Sequence, residues 1–127
     1  MKTAVRPAGV PTPLGPYSHA VVASGPFLFV SGQVAIDPAV GKITATTFAE
    51  QAARAFENVK AVVEGAGAKM SDVVRVGVYL SDMKHFAEMN EIYRRYFPEP
   101  YPVRTTIQAG LPPNAMIEVD AIVALPG

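Results

Sequence analysis

The sequence contains no cysteine and no tryptophan, and only two histidines among 127 residues. Without cysteine there is no disulfide framework, no thiolate metal site and no cysteine nucleophile. Such a chain is compatible with a reducing compartment. His19 and His85 lie too far apart for metal-ligand spacing, so no metal is expected. Charge of either sign is also scarce. Eleven basic residues balance eleven acidic ones. A net charge of zero argues against nucleic acid as a partner, because binding phosphates calls for excess positive charge. No apolar run is long enough to cross a bilayer, and the N-terminal segment lacks the apolar core of a leader. No internal repeat, charge block, low-complexity tract or glycine-rich phosphate loop stands out. The expectation is one cytoplasmic domain over residues 1–127, with half of its residues hydrophobic and available for a core.

The elements follow from local pattern. Pro7, Pro11, Pro13 and Pro16 make the opening segment an irregular arm ending at Tyr17-Ser18-His19. Ala20–Ala23 and Phe27–Gln33, separated by Ser24-Gly25-Pro26, read as a hairpin. Asp37 to Lys42, with its Asp-Pro start and Gly41, reads as a turn. Thr47 lies three residues before Glu50, the spacing of a capping box. The apolar residues from Phe48 to Val63 then recur at helical period until Gly65 and Gly67. Val74, Val76, Val78 and Leu80 alternate as in a strand. A second helix is expected from Ser81-Asp82 to before Pro98, with Phe86, Met89, Asn90, Tyr93, Tyr96 and Phe97 on one stripe. Val103–Gln108 is a strand, Leu111 to Asn114 a turn, and Met116–Leu125 a final strand.

This order predicts an α+β fold with both helices on one face of a sheet. Two helices leave the other face uncovered, with Phe27, Phe29 and Tyr79 among the candidates to line it. An apolar face of that size usually marks an interface, so a closed homo-oligomer is expected.

Several residues break their local pattern. Arg104 begins a β-run, either as an exposed edge charge or as a planar fork that grips a carboxylate. Glu118 lies inside the last strand and shares a face with Asp120. That face is either wet or holds a partly buried carboxylate able to move a proton. Asn90 sits on an otherwise apolar stripe, where it ties down a loop or orients one that lines a pocket. Tyr17 is an arm anchor or a pocket wall. Ser31, before Gly32, is a strand terminus or a hydroxyl placed in a cleft.

Taken in order, Gly15-Pro16-Tyr17-Ser18, Phe29-Val30-Ser31-Gly32-Gln33, Asp37-Pro38 with Gly41, Asn58, Ala66-Gly67, Asp72-Val73-Val74, Val78-Tyr79-Leu80-Ser81-Asp82, Phe86 with Asn90 and Tyr93, Pro102-Val103-Arg104, and Leu111-Pro112 with Ile117-Glu118-Val119 resemble the RidA (YjgF) family. The resemblance covers roughly residues 7–125. It implies a chorismate-mutase-like (ferredoxin-like) mixed sheet and a homotrimer with clefts between subunits. The implied activity is hydrolysis of small enamino and imino acids, such as 2-aminoacrylate and 2-iminobutyrate, to 2-keto acids and ammonia, with no cofactor. By position, Arg104 would bind the substrate carboxylate, helped by the Thr106 backbone N–H, and Glu118 would activate water. Tyr17, Ser31, Gly32 and Asn90 would shape the cleft, with Tyr17 supplied by the neighbouring chain. Arg104 and Glu118 would lie a few ångströms apart in a crevice made by association. Two departures from the family pattern are visible. Thr106 stands where some members have cysteine, which a backbone contact tolerates. The stretch from Arg104 to Leu111 is one residue shorter, which a bulge could absorb. Two other readings use the same chain: a ribonuclease or translation inhibitor, and a non-catalytic small-ligand or chaperone-like binder.

Overall fold

The computed structural model describes residues 1–126. Its strands are β1 (Lys2–Val5), β2 (Ala20–Ala23), β3 (Phe27–Gln33), β4 (Ile36–Asp37), β5 (Lys42–Ile43), β6 (Val73–Leu80), β7 (Val103–Gln108) and β8 (Ile117–Ala124), with helices α1 (Phe48–Gly65) and α2 (Phe86–Tyr96). The main sheet has the order β3-β8-β6-β7. It is mixed: β3 and β6 each pair antiparallel with β8, while β7 runs parallel to β6. Parallel pairing needs a crossover, and the chain from Ser81 to Pro102, including α2, provides it.

Both helices lie on one face, as their apolar stripes require. The core joins Ala52, Phe56 and Val59 of α1 and Met89 and Tyr93 of α2 to Val76, Val78, Ile117, Val119 and Ala121 of the sheet. Strand alternation assigns Ile117, Val119, Ala121 and Val123 to this covered face. Glu118, Asp120 and Ile122 go to the other, where Phe27 and Phe29 are 41% and 71% exposed. The uncovered apolar face is therefore present.

Two expectations about the N-terminal region are corrected. Ala20–Ala23 does not form a hairpin with Phe27–Gln33. It pairs instead with β1, and β3 pairs with β8. Pro26 has no N–H with which to close a hairpin ladder, and its carbonyl accepts from Leu125 N (2.9 Å), which starts β3 on β8. The opening arm is also not irregular throughout, since Lys2–Val5, ahead of the first proline, is free to enter a ladder. The second helix begins later than expected: Asp82 caps a single 3-10 turn, its Oδ1 accepting from Lys84 N (2.8 Å), and α2 starts only at Phe86.

Thr47 caps α1 as expected, but Glu50 bonds back to the Thr47 hydroxyl rather than to the Thr47 backbone N–H as a full capping box would. Thr47 Oγ1 accepts from Glu50 N (3.3 Å) and donates to Glu50 Oε1 (2.8 Å). One turn on, Gln51 is a buried tether. Its Nε2 donates to Ala45 O (3.1 Å) and Asn114 O (2.8 Å), and its Oε1 accepts from Met116 N (2.8 Å). It thus fixes the turn before β8, two residues from Glu118. Removing it leaves three part-buried backbone groups without their partner. Gln51→Leu should cost roughly 2–4 kcal/mol, against about 1 kcal/mol for Thr47→Ala. Equal losses in urea denaturation would contradict the tether.

Candidate active site

The residues singled out in the sequence gather in two separate places. Arg104 pairs in register with Val76, so both point into the helix-covered side. Its guanidinium carbon lies 5.0 Å from the ring centroid of Tyr93, 5.6 Å from Tyr17 and 5.8 Å from Phe86. The charge is thus boxed by aromatic faces, which attract a cation. Burial lowers its pKa from the ordinary arginine value, and Tyr93 and Tyr17 oppose the shift.

The arm reaches this box through local contacts. Ser18 N donates to Pro102 O (3.0 Å) and Tyr17 N to Gly15 O (2.9 Å). Gly15 packs so closely that a Cβ there would lie 3.3 Å from Asn90 Nδ2 and 3.4 Å from Arg104 Nη2. Asn90, 7% exposed, and the guanidinium thus border the same spot beside Gly15. Thr106 lies two residues beyond Arg104 on the same face of β7. The guanidinium borders a groove lined by Tyr17, Ser18, His19 and Thr105. β7 keeps unbroken register with β6 from Val103 to Gln108, so no bulge lies in that part of the stretch to Leu111.

The second group lies on the uncovered face. Glu118 pairs with Tyr79. The β3–β8 register shifts between Val30 and Gln33, and the irregularity brings Gly32 against Glu118. A Cβ on Gly32 would collide with Glu118 Oε2 where it now lies, so any other residue there would make the carboxylate move. Ser31 is beside it and exposed. Asp120, on the same face, is already engaged. It accepts from Arg75 Nη1 (3.2 Å), Gly77 N (3.0 Å) and Tyr79 Oη (2.8 Å), and that bond raises the Tyr79 pKa. Glu118 enters none of the ion pairs among the described residues.

Arg104 and Glu118 therefore do not meet within one chain: they occupy opposite faces of the sheet, on strands separated by β6. Tyr17 was expected from a neighbouring chain. Here it packs against Arg104 of its own chain, because Ser18 is bonded to the segment just before β7. The pattern missed the aromatic box. Tyr93 and Phe86 read as core stripe, and nothing in their spacing distinguished a ring that packs from one that also faces a charge.

A mixed sheet with two helices on one face, a boxed arginine on that side and a carboxylate outside any ion pair on the other, defines an α+β protein whose polar groups are divided between the two faces. The family model described as Endoribonuclease L-PSP matches residues 8–125. A RutC family protein of Pyrococcus horikoshii is 44% identical over 96% of this chain and 97% of its own. A protein of Dermatophagoides farinae named 2-iminobutanoate/2-iminopropanoate deaminase is 39% identical over 91% and 90%. The crystal structure of RidA from the Antarctic bacterium Psychrobacter sp. PAMC 21119 aligns with a TM-score of 0.76 at 35% identity, covering 97% of this chain and 99% of that one. The chain belongs to the endoribonuclease L-PSP family, the RidA/YjgF family.

Burial pushes the Tyr93 phenol far above its ordinary value. Its folded pKa exceeds the unfolded value of about 10, so its contribution to stability is complete below that pH and is lost as pH rises past it. Unfolding free energy should fall as pH rises above about 10, and less steeply in Tyr93→Phe. Parallel pH profiles from urea titrations of the two proteins would show that this phenol is not the cause.

Proposed function

We propose that this protein hydrolyses imines and enamines of small 2-amino acids, of the 2-aminoacrylate and 2-iminobutyrate type, to 2-keto acids and ammonia. The observation that carries the reading is the half-buried Arg104 guanidinium, which has no acidic partner among the described residues. A planar fork with unused N–H groups in an aromatic box suits a carboxylate. The activity named for the Dermatophagoides relative uses substrates that carry one.

The chemistry asks for little else. An enamine first takes a proton on its β-carbon and gives one up from nitrogen to become the imine. Water then adds to the C=N carbon, giving up one proton to a base while the nitrogen gains one. As the carbinolamine collapses, the hydroxyl proton passes to nitrogen, oxygen closes the C=O bond, the C–N bond breaks, and nitrogen leaves as ammonia. A single free carboxylate can take the proton from water and return it to nitrogen, and Glu118 is the candidate. Arg104 orients the substrate, and positioning supplies part of the acceleration.

Because the two groups lie on opposite faces, the reading requires two copies of the chain. Arg104, Thr106, Asn90 and Tyr17 come from one copy, and Ser31, Gly32 and Glu118 from the next. The uncovered face carrying Phe29 supplies an apolar surface for such association, and a homotrimer with three such clefts is the assembly we propose. The name endoribonuclease carried by the family model gives a second reading, which the balanced charge opposes.

Arg104→Ala and Glu118→Gln should each abolish hydrolysis of 2-iminobutyrate without dissociating the oligomer. Mixing the two inactive proteins after unfolding should restore activity to about a quarter of wild type, since a random cyclic trimer pairs an intact Arg104 with an intact Glu118 at that frequency. No recovery, with light scattering confirming mixed trimers, would rule out a site shared in this way. RNA cleavage that survives in both variants would be assigned to contamination or to another site.

A further inference from the structure

Four buried side-chain atoms among the described residues lack a hydrogen-bond partner within the protein: Asn90 Oδ1, Tyr93 Oη, Arg104 Nη1 and Thr106 Oγ1. They belong to one neighbourhood. Asn90 and Tyr93 are three residues apart on the inner side of α2, and Arg104 and Thr106 share the side of β7 that faces it. The Arg104 guanidinium carbon is 5.0 Å from the Tyr93 ring centroid. Asn90 Oδ1, Asn90 Nδ2 and Arg104 Nη2 converge on one spot, 3.3–3.5 Å from where a Gly15 Cβ would lie.

Buried polar atoms are nearly always partnered, and the chemistry of these four narrows the choice. Arg104 Nη1 only donates, Asn90 Oδ1 only accepts, and the two hydroxyls do either. A substrate carboxylate accepts only, so it leaves Asn90 Oδ1 unmet. Water both donates and accepts, and it is held where several polar groups converge.

We propose that ordered water anchored on the Tyr93 hydroxyl links Asn90 Oδ1 to Arg104 Nη1 and fixes the guanidinium in its carboxylate-gripping orientation. Tyr93 is then a positioning residue for substrate affinity, over and above its packing. The inference rests on the reading of Arg104 as the carboxylate anchor. The ring itself is held independently, stacked on Phe97 at 4.2 Å and edge-on to Phe56 at 5.8 Å. Tyr93→Phe therefore removes the hydroxyl and leaves the packing in place.

The test uses the full-length protein and its variants, with 2-ketobutyrate as a non-reacting carboxylate probe in calorimetry and 2-iminobutyrate in kinetics. Tyr93→Phe should raise the Kd for the probe and the KM by about fivefold and leave kcat within about twofold, because an orientation lost from a binding group acts on ground state and transition state alike. A crystal structure should show water within hydrogen-bond distance of Tyr93 Oη and of Arg104 Nη1 or Asn90 Oδ1. Thr106→Val, at the margin of the cluster, should have a smaller effect. If Arg104→Ala loses the probe while Tyr93→Phe binds it as wild type does, the positioning role is wrong and the anchor stands. If Arg104→Ala binds the probe unchanged, the anchor is wrong, and the role of Tyr93 fails with it. A Tyr93 hydroxyl that is dry in the crystal, or bonded only to protein, would also overturn the proposal.

Discussion

A guanidinium drawn partly out of water with no carboxylate beside it is the constraint on which this structure turns. Such burial costs several kcal/mol unless something replaces the lost solvent. Aromatic faces return only part of that, about 0.5–2 kcal/mol each. At Arg104 three rings, from α2 and the N-terminal arm, supply part of the replacement, with Asn90 and Gly15 close by. The arm and the close approach at Gly15 are not needed to complete the sheet, and α2, which serves as its crossover, turns Phe86 and Tyr93 to the charge as well. Their common effect is to hold a positive charge rigid, half-dry and short of an anion, and a small carboxylate is the simplest group that answers it.

The sheet acts as a partition. Side chains along a strand alternate between faces, so Arg104 and Thr106 go to the helix side, and Glu118 and Asp120 to the open side. The two acids then meet different fates over the length of one residue pair. Asp120 is consumed by Arg75, Tyr79 and the Gly77 amide. Glu118 is left free because Gly32 gives it space without giving it a partner. Such a sheet cannot bring the arginine and the free acid together within one molecule. On the reading proposed here, association does so, and the exposed Phe29 that makes an isolated chain costly in water favours the same step.

Much of this was legible in the sequence because much of it is local. Thr47 and Glu50 mark the helix start through a bond between residues three apart. The alternation from Ile117 to Val123 names its own buried face, and Asp37 to Gly41 carries its turn in its residue types. What failed was non-local. The pairing of Ala20–Ala23 depends on Lys2–Val5 and that of Phe27–Gln33 on a strand some ninety residues on, and no local turn signal encodes either choice. The site was legible as a set of residues but not as a geometry. Arg104, Asn90 and Glu118 stood out by polarity against an apolar pattern. Tyr93 did not, because an aromatic at core spacing looks the same whether its hydroxyl is idle or used.

That overlap has a physical origin. Arg104 can be fixed only by groups rigid enough not to follow it, and the most rigid groups in a small domain are those of the core. Tyr93 is fully buried, stacked on Phe97 and adjoining Phe56, so its ring cannot yield when an anion pulls on the guanidinium. The polar tip of the same side chain is then a fixed point for the charge in front of it. An imine is already electrophilic, so the reaction proposed asks mainly for orientation and one proton relay. A protein can supply orientation by building the binding group directly onto its core, and the aromatic residues that stabilise this fold are in contact with the charge that would hold the substrate.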